Sequence, residues 1–162
     1  MEQTHVAVRR SRTDDLEGFE TFVAGLSVET STRRFFTPTN RLPSSSARLL
    51  IANDPTRGSY LVWEGERVIA HGCWAAVSPQ VAEMALVVGD GAQRRGIGRK
   101  LTRALLRDMR DAGYRQMEMV VEPDNRAVVD LIMRSWPDSR PHWDDGLLTF
   151  VTPVATQRAA AA

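Results

Sequence analysis

The chain has 162 residues, of which 25% are charged, and its formal net charge is +1 at neutral pH. This length fits one domain with a substantial core, and the charge balance gives no indication of nucleic-acid or membrane binding. One cysteine excludes an internal disulfide framework, three scattered histidines lack metal-ligand spacing, and the first residues lack the apolar core of a signal peptide. We therefore expect a cytoplasmic protein without a metal ion, acting as a monomer or a homodimer.

The first half of the chain predicts two or three helices followed by a hairpin. Apolar alternation, capping residues and turn residues mark the elements. In chain order these are a strand over His5–Arg9, a helix that Asp14 caps and that ends near Ala24, a helix that Ser27 caps and that ends at Phe36, a short helix from Ser44 to Leu50, and strands Tyr60–Trp63 and Val68–Ala76 joined at Glu64–Glu66.

The second half predicts a strand, a glycine-rich loop, a long amphipathic helix, and then a strand, a helix and a last strand. The predicted elements are the strand Val81–Val88, the helix from Ile97 to its stop at Gly113, the strand Gln116–Glu122, the helix Asn125–Trp136, a loop over Pro137–Asp145 and the strand Leu147–Thr152. This order predicts an α/β fold whose sheet is mostly antiparallel in its front half. We expect one domain over residues 5–154 and a disordered tail over residues 155–162.

The loop before the long helix has the composition of a phosphate-binding turn. Its glycines and arginines stand at a helix N-terminus, where free backbone N–H groups attract a diphosphate. A Walker loop is excluded because Ile97 and Gly98 follow Gly96, where lysine and a hydroxyl residue belong. A dinucleotide fingerprint is excluded because Arg94 stands at its third glycine. A plain strand–turn–helix joint remains the alternative at this point.

The remaining pattern, Q/R-x-x-G-x-G/A at Gln93–Gly98, resembles the acetyl-CoA loop of the GNAT superfamily of acyl-CoA N-acyltransferases. Two more segments extend the resemblance to bacterial Pat-type protein lysine acetyltransferases: Leu26–Phe36 (LSVETSTRRFF) and Ala82–Ala85 (AEMA). The resemblance covers residues 5 to 154. It implies a GNAT-like mixed sheet, mostly antiparallel, flanked by helices and with a splayed central strand pair.

The resemblance also implies acetyl-CoA as the cosubstrate and assigns its contacts. Main-chain groups beside the splay would hold the pantetheine arm, loop amides and arginines would hold the diphosphate, and an asparagine after the next strand would contact the cofactor arm. The residues carried over are Leu86, Val87, Val88, Gln93, Arg94, Arg95, Gly96, Ile97, Gly98, Arg99 and Asn125.

Glu83 is the only acid in the apolar run Val81–Val88. An amine acceptor is protonated at neutral pH, so a base must remove a proton before the nitrogen can attack, and a buried carboxylate has the raised pKa that this requires. The resemblance makes Glu83 the general base of direct attack in a ternary complex. An exposed glutamate on an edge strand is the alternative interpretation.

Two features depart from the family pattern. The helix Asn125–Trp136 lacks the tyrosine that many GNAT enzymes use as general acid, and the second domain of Pat-type proteins is absent from these 162 residues. The resemblance implies a lysine on an acceptor protein as the substrate. A small amine as the acceptor, or a non-catalytic acyl-CoA-sensing domain, stays open as an alternative, because fold alone does not decide the acceptor.

Overall fold

A computed structural model describes residues 5–154 of the chain, and the tail predicted to be disordered lies outside these residues. The elements are β1 Val6–Arg10, α1 Leu16–Ala24, α2 Val28–Phe35, α3 Ser44–Leu50, β2 Arg57–Glu64, β3 Arg67–Ala76, β4 Val81–Val88, α4 Ile97–Asp111, β5 Gln116–Val121, α5 Arg126–Ser135, β6 Arg140–Asp144 and β7 Leu147–Pro153. Short 3-10 turns at Thr13–Asp15 and Asp90–Ala92 precede α1 and α4.

The strands form a single sheet in the order β1-β2-β3-β4-β5-β7-β6. Every neighbouring pair is antiparallel except β4 and β5, which are parallel. These two strands are in register over only three positions, Val81–Glu83 against Gln116–Glu118, although β4 continues to pair with β3 and β5 with β7. Beyond Glu83 the two strands therefore diverge, which confirms the predicted mixed sheet with a splayed central pair.

Helices cover both faces of the sheet because the strands alternate their apolar side chains. On β4, Ala82 and Met84 pack into the core under α4, whereas Val87 packs on the opposite face against α1. The helix α4 contributes its predicted apolar stripe to the first core, and the buried residues are Ile97, Leu101, Leu105, Leu106 and Met109. This burial, worth about 1.5–3 kcal/mol per large side chain, holds the helix and the preceding loop against β4.

The predicted start of the first helix is wrong in its capping residue. Asp15, not Asp14, organises the turn: its carboxylate accepts the backbone N–H of Arg12 at 2.7 Å and two guanidinium nitrogens of Arg9 at 2.7 and 2.8 Å. Which aspartate caps the turn depends on which carboxylate lies within hydrogen-bonding distance of Arg9 on β1. That distance is set by the packing of β1 against α1.

The predicted loop over Pro137–Asp145 is also wrong in part, because Arg140–Asp144 form β6 and pair with β7. The turn between these strands places Asp145 and Gly146 at φ values of 46° and 79°. All five residues of β6 are exposed. Such a strand lacks the alternation of buried and exposed positions by which a sequence reveals a half-buried strand.

Candidate active site

The loop between β4 and α4 presents a concave surface of backbone N–H groups. Arg94 and Gly96 both have left-handed conformations, with φ values of 61° and 75°. Gly96 is the N-terminal capping residue of α4 and makes no side-chain cap. Because the first N–H groups of a helix have no intrahelical acceptor and carry the positive end of its dipole, this turn favours a bound anion.

The side chains predicted to bind the cosubstrate play different parts around this loop. Arg94 and Arg99 are exposed, whereas the guanidinium of Arg95 forms an ion pair with Glu64 at the end of β2. The side chain of Ile97 is 3% exposed and belongs to the core, so only its amide faces a ligand. Arg94 and Arg99 are thus without the ion pair that Arg95 makes.

Gln93 and Gly98 hold the loop close to the end of β4. Gln93 Nε2 donates to the carbonyl oxygen of Val88 at 3.2 Å. A Cβ placed on Gly98 would lie 3.7 Å from Val88 Cγ2 and 4.0 Å from Leu86 Cδ1, which is ordinary contact distance. Alanine therefore fits at position 98, whereas a larger side chain would extend into the space beside β4.

The split between β4 and β5 frees backbone groups on β4. Gly89 N donates to Ile69 O across the β3–β4 pair at 2.9 Å. Since backbone groups alternate direction along a strand, the N–H and C=O of Val88 and Leu86 face the split. Those of Val87 face β3 and its side chain is buried, so the structure does not bring Val87 to the split. Gln93 occupies the Val88 carbonyl, which leaves the Val88 N–H and both groups of Leu86 for an extended ligand.

Glu83 stands at the point where the split begins. It lies across from Ala75 of β3 and Glu118 of β5, on the face of β4 that also carries Val87. Contrary to the expected burial, Glu83 is exposed to solvent, yet the protein around it partly desolvates its carboxylate and raises its pKa. The negative charge of Glu118 raises it further, and Arg34 opposes both effects. These are the surroundings that a general base requires.

The helix α2 is attached to the loop before α4 by one carboxylate. Asp90 accepts the backbone N–H of Ser27 at 3.0 Å, the Ser27 hydroxyl at 2.7 Å and the Thr30 hydroxyl at 2.7 Å. The Ser27 hydroxyl also caps α2, as predicted, by accepting the Thr30 N–H at 3.1 Å. Through this attachment α2 places Arg34 beside β3, where its guanidinium donates to Cys73 Sγ at 3.4 Å.

Cys73 and His71 of β3 lie on the same face of the sheet as Glu83, and their surroundings fit a structural role. Burial raises the pKa of the Cys73 thiol despite the nearby Arg34, so the thiol is not an activated nucleophile. His71 is fully buried, with Nε2 3.1 Å from Leu50 O and 3.2 Å from Ser59 Oγ, and burial lowers its pKa to about 3. Neither side chain offers a base or a nucleophile that competes with Glu83.

Asn125 stands directly before α5, where it is the N-terminal capping residue without a side-chain cap. It comes after β5, which is the strand that diverges from β4. This is the position from which the resemblance carries a contact with the cofactor arm.

Sequence reasoning missed Glu118 and Asp90 and assigned no role to Arg34. Glu83 and Glu118 are each the third residue of their strand, which is a signal once the register is known. The Asp90 attachment spans 63 positions between Asp90 and Ser27, and no local pattern reveals such a contact.

Within residues 5–154, no helix combines the length and apolar character needed to cross a bilayer, and no group of three His, Cys, Asp or Glu side chains could hold a metal ion.

Comparisons with known proteins agree with this geometry. The model of the acetyltransferase (GNAT) family matches residues 22–135. The GNAT domain of S. lividans PAT has the same fold, with a TM-score of 0.82 and 24% identity over 91% of this chain and 90% of that one. The PaiA N-acetyltransferase of Thermoplasma acidophilum, solved in complex with coenzyme A, has a TM-score of 0.75 and 14% identity over 92% and 99% of the two chains.

A curated relative matches part of the chain. The mycothiol acetyltransferase of Geodermatophilus obscurus is 38% identical over 90 residues, which are 51% of this chain and 29% of that protein. The chain thus spans less than a third of the length of this curated relative.

Proposed function

This chain belongs to the acetyltransferase (GNAT) family, and we propose that it is an acetyl-CoA-dependent N-acetyltransferase whose acceptor is a lysine on a folded protein, with Glu83 as general base. The observation that carries the proposal is the position of Glu83 at the β4–β5 split, on the face bordered by α2. The helix α2 bears the segment that resembles Pat-type enzymes, and the domain of the S. lividans protein superposes over most of the chain.

The proposed reaction is a direct attack. A lysine ammonium has a pKa of about 10.4, so only about one in 2,500 such groups is neutral at pH 7. Glu83 accepts a proton from the ammonium, and the nitrogen then attacks the thioester carbonyl carbon. A C–N bond forms, the nitrogen gives up its second proton to solvent, the C–S bond breaks, and the thiolate of coenzyme A leaves. A backbone N–H at the split, such as that of Val88, would stabilise the oxyanion by about 3–4 kcal/mol.

The proton for the leaving thiolate comes from solvent in this proposal. The chain has two tyrosines. The Tyr60 hydroxyl lies 3.4 Å from Arg10 Nε, and the Tyr114 ring packs on Trp74 with centroids 5.1 Å apart. Both belong to the core under α4, on the face opposite Glu83. Neither can therefore reach the leaving group as a general acid.

The cosubstrate contact is tested by calorimetry with acetyl-CoA and with ATP. We expect the protein to bind acetyl-CoA, and binding of ATP without acetyl-CoA would contradict the assignment of the loop. Gly98→Trp is expected to abolish acetyl-CoA binding because its side chain fills the space beside β4. Gly98→Ala is the matched control and should bind normally, since a Cβ there meets only ordinary contacts.

The base is tested with Glu83→Gln. We expect an unchanged affinity for acetyl-CoA and a loss of about 10²–10⁴ in turnover at pH 7, because the amide cannot accept the proton. The loss should shrink as the pH rises toward 10, where the amine deprotonates without help. Glu66→Gln, an exposed change in the β2–β3 turn, is the control and should keep full activity. Full activity in Glu83→Gln would remove Glu83 from the mechanism.

A small-molecule amine is the second candidate acceptor, because a relative with 38% identity over its matched part is named for a small molecule. Labelled acetyl-CoA, incubated with the protein and a cell lysate, separates the two candidates. We expect the label on proteins, and on intact folded proteins faster than on free lysine, since protein recognition spreads over many contacts. Faster labelling of polyamines, aminoglycosides or other small amines would replace the protein acceptor.

A further inference from the structure

Glu118 occupies on β5 the position that Glu83 occupies on β4. The two residues are register partners, and theirs is the last pair before the strands diverge. In-register neighbours on parallel strands direct their side chains to the same face of the sheet. Both carboxylates therefore stand on the face covered by α2, at the inner end of the split.

The charge of Glu118 is not neutralised by a neighbour. Its partner on the other side, across the β5–β7 pair, is Val151. Throughout residues 5–154, no hydrogen bond or ion pair of the Glu118 side chain occurs, whereas Glu122, four residues later and just past the end of β5, lies beside Arg33. Arg33 Nη1 lies 3.8 Å from Glu122 Oε2 and 3.4 Å from Asp124 Oδ1. The acid in register with Glu83 is therefore the one that has no paired cation among these residues.

The other groups that act on Glu83 come from α2 and β3. Arg34 of α2 attracts its charge, but the guanidinium is directed to Cys73 Sγ rather than to a Glu83 oxygen. Cys73 itself is held as the neutral thiol by burial. Among these groups only Glu118 opposes the ionisation of Glu83 by charge, and it does so from the adjacent strand.

We infer that Glu118 is a positioning residue for the proposed reaction: its uncompensated charge beside the split makes Glu83 a stronger base. The inference rests on the proposed function, because it takes Glu83 as the group that accepts the proton. It is consistent with the raised pKa of Glu83, to which burial contributes most and Glu118 next. A stronger base takes a proton from the ammonium more readily, which raises the rate at pH values where Glu83 is ionised.

The test is Glu118→Gln, which removes the charge and keeps the shape. We expect the acid limb of the pH profile of kcat/KM to move to lower pH, and kcat above that limb to fall about three- to tenfold because the base is weaker. Glu118→Asp keeps the charge and should leave the limb near its original position. Glu122→Gln is the matched control: it makes the same change just past the end of the same strand, and we expect no displacement of the limb because Arg33 already compensates that charge.

Titration of the Glu83 side-chain carboxyl by carbon NMR separates this inference from the proposed function. We expect Glu83 to titrate at lower pH in Glu118→Gln than in the unmodified protein. An identical titration in both proteins would overturn the role of Glu118 and leave the assignment of Glu83 intact. A displaced titration with an unmoved acid limb would instead overturn Glu83 as the base, and the catalytic role of Glu118 with it.

Discussion

Replacing Asp90 with alanine is expected to loosen α2 from the cosubstrate loop. The change removes the acceptor of three hydrogen bonds, from Ser27 N at 3.0 Å and from the hydroxyls of Ser27 and Thr30 at 2.7 Å each. A hydrogen bond to a charged group contributes about 1.5–3 kcal/mol when buried, but Asp90 is exposed, so about 0.5–1 kcal/mol for each bond is the appropriate figure. The total loss should be about 2 kcal/mol.

Thermal unfolding followed by circular dichroism measures this loss. In a domain of this size 1 kcal/mol corresponds to about 2–4 °C, so Tm should fall by about 4–8 °C. Hydrogen exchange at the Ser27 and Thr30 amides should accelerate more than exchange in the core. Asp124→Ala is the matched control, because the Asp124 carboxylate is 79% exposed and has one contact, with Arg33 at 3.4 Å. That variant should lose less than about 1 kcal/mol.

The difference in stability between the unmodified protein and Asp90→Ala depends on pH in a defined way. Desolvation favours the protonated form of Asp90, but the hydrogen bonds from Ser27 and Thr30 outweigh it and lower the pKa of the carboxyl. A lowered pKa in the folded state stabilises the protein above the unfolded value of about 3.9, and this stabilisation disappears as the pH falls through the folded value. The unmodified protein and Asp90→Ala should thus differ fully at pH 7 and converge as the pH falls through the lowered pKa of Asp90. Equal Tm values for Asp90→Ala and Asp124→Ala at pH 7 would refute the reasoning.

Two other substitutions test the fold and the loop. Asp15→Asn should cost about 2 kcal/mol in urea unfolding at pH 7, because it removes the charged carboxylate that accepts two hydrogen bonds from Arg9. The bond from Arg9 lowers the pKa of Asp15 against desolvation, so this cost should disappear as the pH falls through the lowered value, and a cost that does not decrease in acid would contradict the assignment. Gly96→Ala should cost about 1 kcal/mol of stability and weaken acetyl-CoA binding in calorimetry. No atom lies within 4 Å of the added Cβ, so the cost comes from the φ of 75°, which alanine adopts with strain. Gly91→Ala is the control, because it is equally free of contacts and has no positive φ, and it should change neither stability nor binding.

Local patterns determined most of the elements around the site. The strand β4 has the predicted bounds, Val81–Val88, because its run of β-prone residues ends at a glycine. The helix α4 begins at the predicted Ile97, after a loop that needs left-handed residues, and Ser27 caps α2 as its side chain and position predict. Periodicity, capping and glycine conformations act over a few residues, so they can be recognised in a sequence without knowledge of its fold.

Contacts between distant segments were decided only by the tertiary structure. The sequence marks Glu83 as an acid in an apolar strand, but the register of β4 against β5 brings Glu118 beside it. The pairing of Arg95 with Glu64 joins residues 31 positions apart, and it takes from the loop a charge that composition alone assigns to the diphosphate.

The exposed strand β6 is also decided by the tertiary structure, because pairing with β7 specifies it rather than a sequence pattern of its own. Strand register and ion pairing depend on the global packing of the sheet, since each is chosen among many alternatives of similar local energy. The sequence by itself thus determined the glycine-rich loop, the place of Glu83 in an apolar strand and the elements that carry them. The charges that surround Glu83, and the pairing of the loop arginines, follow only from the folded sheet.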